Sequence, residues 1–162
     1  MKTLYLIRHA KSSWDDMALA DEDRPLNRRG KRDAPKVGER LAKRRPKPDL
    51  ILSSPATRAV MTAEIIAKKL DYKRSKIVLD DRLYAVSADD LLEVIHQLDD
   101  KVERVMLIGH NPELTGLAHR LSSKITHLPT CAVAEFRFDA KSWARIGKDK
   151  PTRVALEYPK QS

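Results

Sequence analysis

Leu4-Tyr5-Leu6-Ile7, followed at once by Arg8-His9, is the stretch that decides how this chain is read. Four consecutive apolar residues closed off by charge are too short for an ordinary helix. They suit a strand covered on both faces. Three more runs of the same kind follow: Leu50-Ile51-Leu52, Ile77-Val78-Leu79 and Val105-Met106-Leu107-Ile108. Between them, apolar residues recur at helical spacing. Ala34, Val37, Gly38, Leu41 and Ala42 form one stripe; Ala59, Ala63, Ile66, Ala67 and Leu70 form another. Leu91, Leu92, Ile95 and Leu98 make a third, and Pro112 opens a fourth through Leu114, Leu117, Ala118 and Leu121. Alternating strand and helix predicts an α/β fold, a three-layer α/β/α sandwich with a mostly parallel sheet. Pro35 is tolerable only in the first turn of its helix, so a short turn from Asn27 to near Gly30 is expected to precede that helix.

The C-terminal part changes style. Ala132, Ala134, Phe136 and Phe138 alternate with Val133, Glu135 and Arg137, and Val154, Leu156 and Tyr158 alternate with Ala155 and Glu157. Two later strands near a sheet edge are expected, as an antiparallel element. No repeat or linker divides the 162 residues, so residues 1–162 read as a single domain. The hydrophobic content of 41% argues against disorder despite 34% charged residues. One cysteine, Cys131, excludes an internal disulfide framework. No apolar run approaches the roughly 20 residues that cross a bilayer, so no membrane association is expected. The opening segment is too short in its apolar part for a signal peptide. The expected location is cytoplasmic.

The net charge of +9 is concentrated. From Arg28 to Lys47, ten basic residues face only Asp33 and Glu39. Such a stretch is either the solvated face of one helix or a surface that steers acidic partners.

In open α/β sheets, ligands bind beyond the carboxyl ends of the strands. After Ile7 come Arg8-His9. After Leu52 come Ser53-Ser54-Pro55-Ala56-Thr57-Arg58, and after Ile108 come Gly109-His110-Asn111-Pro112. Three strand ends thus deliver two arginines and two histidines to one side of the sheet, and two of them run into helix N-termini, which favour anions. Guanidinium groups fork onto phosphate oxygens. A histidine among them can act as nucleophile, acid or base. Each residue alone has a bland reading, as a structural histidine or a helix-face arginine. Four of them at three converging ends do not.

Leu6-Ile7-Arg8-His9-Ala10-Lys11-Ser12 resembles the Arg-His-Gly signature of the histidine phosphatase (phosphoglycerate mutase-like) superfamily. Ser53-Ser54-Pro55-x-x-Arg58-Ala59-x-x-Thr62-Ala63 resembles its second motif, and Gly109-His110 its late histidine. The short length, the alanine after His9, and Asp23-Arg24-Pro25-Leu26-Asn27-x-x-Gly30 resemble the SixA-like phosphohistidine phosphatase branch. The resemblance runs from Lys2 to about Leu121, and more weakly through Leu128-Pro129-Thr130 to Phe138. It implies a nucleophilic His9 that takes a phosphoryl group and yields it to water. Arg8, Arg58 and His110 would hold the phosphoryl oxygens. His9 must present a neutral nitrogen, so its other nitrogen needs a backbone carbonyl or similar acceptor. Arg24 is either an auxiliary phosphate-binding cation or a surface ion pair with Asp21, Glu22 or Asp23.

The departures from the family pattern also carry information. Ala10 and Lys11 stand where many members have glycine and glutamate. Asp15 occupies the position of an asparagine that touches phosphate in many members, and its charge would repel phosphate. Larger members place a glutamate proton donor in the loop after the third strand. Here that loop is Asp80-Asp81-Arg82-Leu83-Tyr84, with Arg82 at the corresponding position and Asp81 beside it. Without an acid, good substrates are those whose leaving group needs little protonation. Imidazole qualifies better than an alkyl alcohol.

The leading expectation is therefore a metal-independent phosphatase acting on phosphohistidine in a protein partner. A phosphomonoesterase of a small phosphorylated metabolite, with Asp81 as acid, is the second. A non-enzymatic basic binding module is the third. Scarce aromatics (5%) and the lack of a recognised motif argue against nucleic acid. No cofactor and no metal are expected: there is no His/Cys cluster and no glycine-rich phosphate loop.

Overall fold

The computed structural model describes residues 1–44 and 47–159. Six strands form one sheet: β1 (Lys2–Arg8), β2 (Leu50–Ser53), β3 (Val78–Leu79), β4 (Arg104–Gly109), β5 (Val133–Phe138) and β6 (Arg153–Glu157). Their order is β3-β2-β4-β1-β5-β6. β1 to β4 pair in parallel, and β5 and β6 add antiparallel at one edge. The four helices are α1 (Arg28–Lys43), α2 (Thr57–Lys69), α3 (Ala88–His96) and α4 (Glu113–Leu121).

Alternation along the strands builds two cores. Leu4 and Leu6 of β1, with Val105 and Leu107 of β4, face α3 and α4. Tyr5 and Ile7, with Met106 and Ile108, face α1 and α2. Because each central strand is buried on both sides, it has to be apolar at every position, which is what the continuous aliphatic runs encode. The three layers and the antiparallel edge agree with the reading of the sequence.

Three local features differ from it. Ile77 precedes β3, which is only two residues long and whose side chains are exposed, Val78 by 44% and Leu79 by 53%. The run is an edge strand with neighbours on one side only, so its apolar residues stay at the surface. α1 begins at Arg28, with the Asn27 side chain accepting from the Gly30 amide at 2.8 Å. Pro35 therefore lies in the helix interior, not its first turn. The ring removes one intrahelical donor. The buried stripe Ala34, Val37 and Leu41 spans the proline and packs against α2, which keeps the helix continuous. Of the basic stretch Arg28 to Lys47, Arg45 lies outside the described residues.

Candidate active site

β1, β2 and β4 end side by side, and each hands its next residues to the same rim. His9 follows β1, and its backbone is fixed from both neighbours. Its amide donates to the Gly109 carbonyl at 3.1 Å, and its carbonyl accepts from the Cys131 amide at 3.0 Å. The His9 ring then folds back on the next peptide. Nδ1 lies 2.7 Å from the Ala10 carbonyl oxygen. A carbonyl can only accept, so Nδ1 carries the proton and Nε2 keeps its lone pair. Burial, together with His110, Arg58 and Arg8 nearby, pushes the His9 pKa down to about 3 against a raising contribution from the Ala10 bond. The imidazole is neutral at working pH. This is the arrangement the sequence requires of a nucleophile.

His110 follows β4, with its ring centroid 5.0 Å from that of His9. Its Nε2 lies 2.7 Å from Ser54 Oγ. Ser54 Oγ already accepts from the Ala56 amide at 3.2 Å, so its own proton is available to His110 Nε2. His110 Nδ1 then bears hydrogen. It is buried and has no partner among the described residues, and neither has Arg8 Nε. Buried polar atoms are almost always satisfied. Both atoms belong to residues that line one cavity, and both are N–H donors. Burial, then Arg58, lowers the His110 pKa to about 4.

Arg58 sits in the first turn of α2 and is almost fully buried. Its guanidinium donates to the Asp21 carbonyl at 2.6 Å and to Asp21 Oδ2 at 2.9 Å. Arg8 donates to the Leu128 carbonyl at 3.1 Å. Thr62, one turn beyond Arg58, accepts from the Ala10 amide at 3.0 Å and donates to the Arg58 carbonyl at 2.8 Å. That residue ties the loop after β1 to α2 and accounts for the threonine in the second motif.

All four core candidates line one cavity of about 180 Å³, and Arg24 lines it with them. Arg24 lies in the cavity wall and also pairs with an acidic neighbour, but it is buried and not at the surface. It pairs with Asp21 Oδ1 at 2.9 Å, and donates to Ser12 Oγ at 2.6 Å and to the Ser13 carbonyl at 2.9 Å. The Trp14 ring covers its guanidinium at 3.3 Å. Lys11, Ser12 and Trp14 line the cavity as well.

Asp21 is the residue the sequence reading missed as part of the site. It accepts from Arg24, Arg58 and the Tyr84 hydroxyl, the last at 2.7 Å. Tyr84, then the two arginines, hold its carboxyl well below the usual carboxylate range, so it stays ionised and cannot serve as an acid. Nothing in the sequence distinguishes it from Glu22 or Asp23; only the folded position of the segment does. Tyr84 also meets the His110 ring edge-on, with centroids 5.5 Å apart.

Asp81 and Asp15 are exposed and do not line the cavity. Arg82 is engaged with Asp80 and Gln97. Glu113, whose pKa burial raises, also stays outside the lining. The loop after β3 therefore contributes Tyr84, not a carboxyl. Gly30 is explained by contact: a Cβ there would stand 2.2 Å from the Lys11 carbonyl oxygen. Only glycine lets α1 start against the loop that carries Lys11 and Ser12. The Cys131 thiol, buried and pushed up to about 12, is chemically inert. Among the described residues no three His, Cys, Asp or Glu side chains gather as a metal would require.

The model of the histidine phosphatase superfamily (branch 1) matches residues 4–104, more than half of the chain. The chain belongs to the histidine phosphatase superfamily. Within it the chain is SixA-like, and it is a phosphatase. A SixA protein of Agrobacterium tumefaciens is 31% identical, with 83% of this chain and 90% of that one covered at a TM-score of 0.77. A SixA protein histidine phosphatase complexed with tungstate shares the fold at a TM-score of 0.81, with 97% of each chain covered and 21% identity. An uncharacterised chloroplastic protein of Arabidopsis thaliana is 34% identical over 150 residues, which cover 88% of this chain and 69% of that one. Among the described residues, no helix is long and apolar enough to cross a membrane.

Proposed function

We propose that this phosphatase hydrolyses phosphohistidine on a protein partner, through a phosphoryl intermediate on His9 and without a metal, as a single domain acting in the cytoplasm. One observation carries the reading. His9 is held as the Nδ1–H tautomer on the Ala10 carbonyl, which leaves Nε2 free to attack in a cavity that Arg8, Arg58 and His110 also line.

The Nε2 lone pair of His9 forms the new N–P bond as the P–N bond of the substrate breaks. The substrate imidazole, protonated by solvent on its other nitrogen, leaves neutral. Water then adds to phosphorus, the P–Nε2 bond of His9 breaks to return the neutral Nδ1–H imidazole, and both protons of that water leave with inorganic phosphate as dihydrogen phosphate. Splitting one displacement into two is the gain from a covalent intermediate. Arg8, Arg58 and His110 Nδ1–H hold the phosphoryl oxygens, with Arg24 at the rim. They are already in place before charge develops. The cationic cradle supplies the positive charge that magnesium brings in other phosphoryl transfers. Among the described residues none of those lining the cavity is a carboxylic acid, which supports phosphohistidine over alkyl phosphates.

The test compares a histidine-phosphorylated phosphotransfer protein with a phosphoserine peptide, using wild type and His9→Ala in chelator. Wild type is expected to prefer the first substrate, and His9→Ala to lose about 10⁴-fold or more. Full turnover by His9→Ala would end the nucleophile assignment. Equal turnover of both substrates by wild type would end the phosphohistidine preference.

A further inference from the structure

A second basic cavity lies at the other end of the sheet. β4, β1, β5 and β6 place Arg104, Thr3, Arg137 and Arg153 in one register row, each paired with the next across neighbouring strands. Side chains on one row project from the same face, here the face that packs on α1 and α2. Strands are spaced by about 4.8 Å, so the row spans about 14 Å. Arg44 and Lys47, at the C-terminal end of the basic stretch, stand beside it. Together these residues line a groove of about 490 Å³, with Tyr5 and Glu135 also in the lining.

The charges in this groove are poorly balanced. Glu135 is buried and pairs with Arg137 at 3.0 Å and with Arg44 at 3.8 Å. Glu157 takes Arg44 at 2.8 Å. Arg104, Arg153 and Lys47 are exposed, and their side chains hold no ion pair or hydrogen bond among the described residues. Arg137 and Arg153 face each other directly across a strand pair. Like charges so placed destabilise a sheet unless something compensates them. Six residues of β1, about 20 Å, separate Thr3 from His9, so this is not an annex of the catalytic cavity.

We infer that this groove is a second anion site, which binds a small compound carrying two or more phosphate groups. The spread of the row favours distributed charge over one phosphate. Guanidinium forks suit phosphate oxygens. The lining offers no exposed aromatic ring on which a base could stack, so an oligophosphate fits better than a nucleic acid strand.

Tripolyphosphate is the probe, titrated calorimetrically at about 150 mM salt. An Arg58→Ala background weakens anion binding in the catalytic cavity and is common to every variant compared. Saturable 1:1 binding is expected, weakened at least about tenfold by adding Arg104→Ala and Arg153→Ala. Adding Lys36→Ala and Lys124→Ala, which removes the same charge elsewhere, should change it less than about twofold. In wild type, amide shifts at Thr3, Arg104, Arg137 and Arg153 should follow the same isotherm. Unchanged binding in the groove variant overturns the site. So does an equal loss in the lysine control, which would mean diffuse attraction only. Displacement of tripolyphosphate by a more tightly bound oligonucleotide would make the groove a nucleic-acid surface instead.

Discussion

The two ends of β1 both gather arginines, and they treat them in opposite ways. At the carboxyl end Arg8, Arg24 and Arg58 are enclosed and held by fixed acceptors: the Leu128 carbonyl, Ser12 and Asp21. At the amino end Arg104 and Arg153 are exposed and unpaired among the described residues. The first arrangement costs desolvation, which the neighbouring acceptors offset, and it leaves the donors immobile. Immobile donors stabilise a transition state without reorganising. The second keeps its side-chain freedom and its hydration, which suits holding an anion but contributes little to a bond-making step. Net charge alone does not tell the two poles apart; burial and second partners do.

The sharpest way to break this contrast is to remove one arginine from each pole. Arg58→Ala should lower kcat/KM by about 10²–10³, as loss of one preorganised donor does elsewhere. Arg104→Ala should change it by less than about twofold in steady-state assays. Comparable losses would mean that the amino end takes part in catalysis.

Asp21 tests whether immobility matters beyond charge. Asp21→Asn keeps the shape but loosens Arg58 and Arg24 and releases the Tyr84 hydroxyl. Activity should fall by about 10- to 100-fold, chiefly in kcat, the scale of a displaced catalytic group. A rise in activity would mean instead that Asp21 competes with substrate for Arg58.

The smallest effect concerns protons. His9 and His110, lowered to about 3 and about 4, should show no imidazole titration between pH 5 and 8 by NMR. In the unfolded chain both protonate near 6.5. Between that value and about 3, the unfolded state therefore binds more protons, and stability falls as pH drops through the window. A midpoint near 6.5 for either ring in the folded protein would show this pole to be as wet as the other.

The aliphatic runs of β1, β2 and β4 were legible because a strand buried on both faces must be apolar at every position. The motifs after them were legible because strand ends of a parallel sheet share one rim. Arg8, His9, Arg58 and His110 could therefore be assembled from residue order alone. Pro35 misled, since its cost is local while the packing that overrides it comes from α2. Asp21 was invisible for the same kind of reason. Three acidic residues in a row are equivalent in sequence, and only the fold brings one of them against two arginines and Tyr84. The arginine row at the amino end arises from strand register, which relates Arg104, Arg137 and Arg153 through hydrogen bonds between strands far apart in the chain. Local periodicity thus determined the elements and the rim. Pair geometry, which depends on contacts between distant segments, was decided by the tertiary structure.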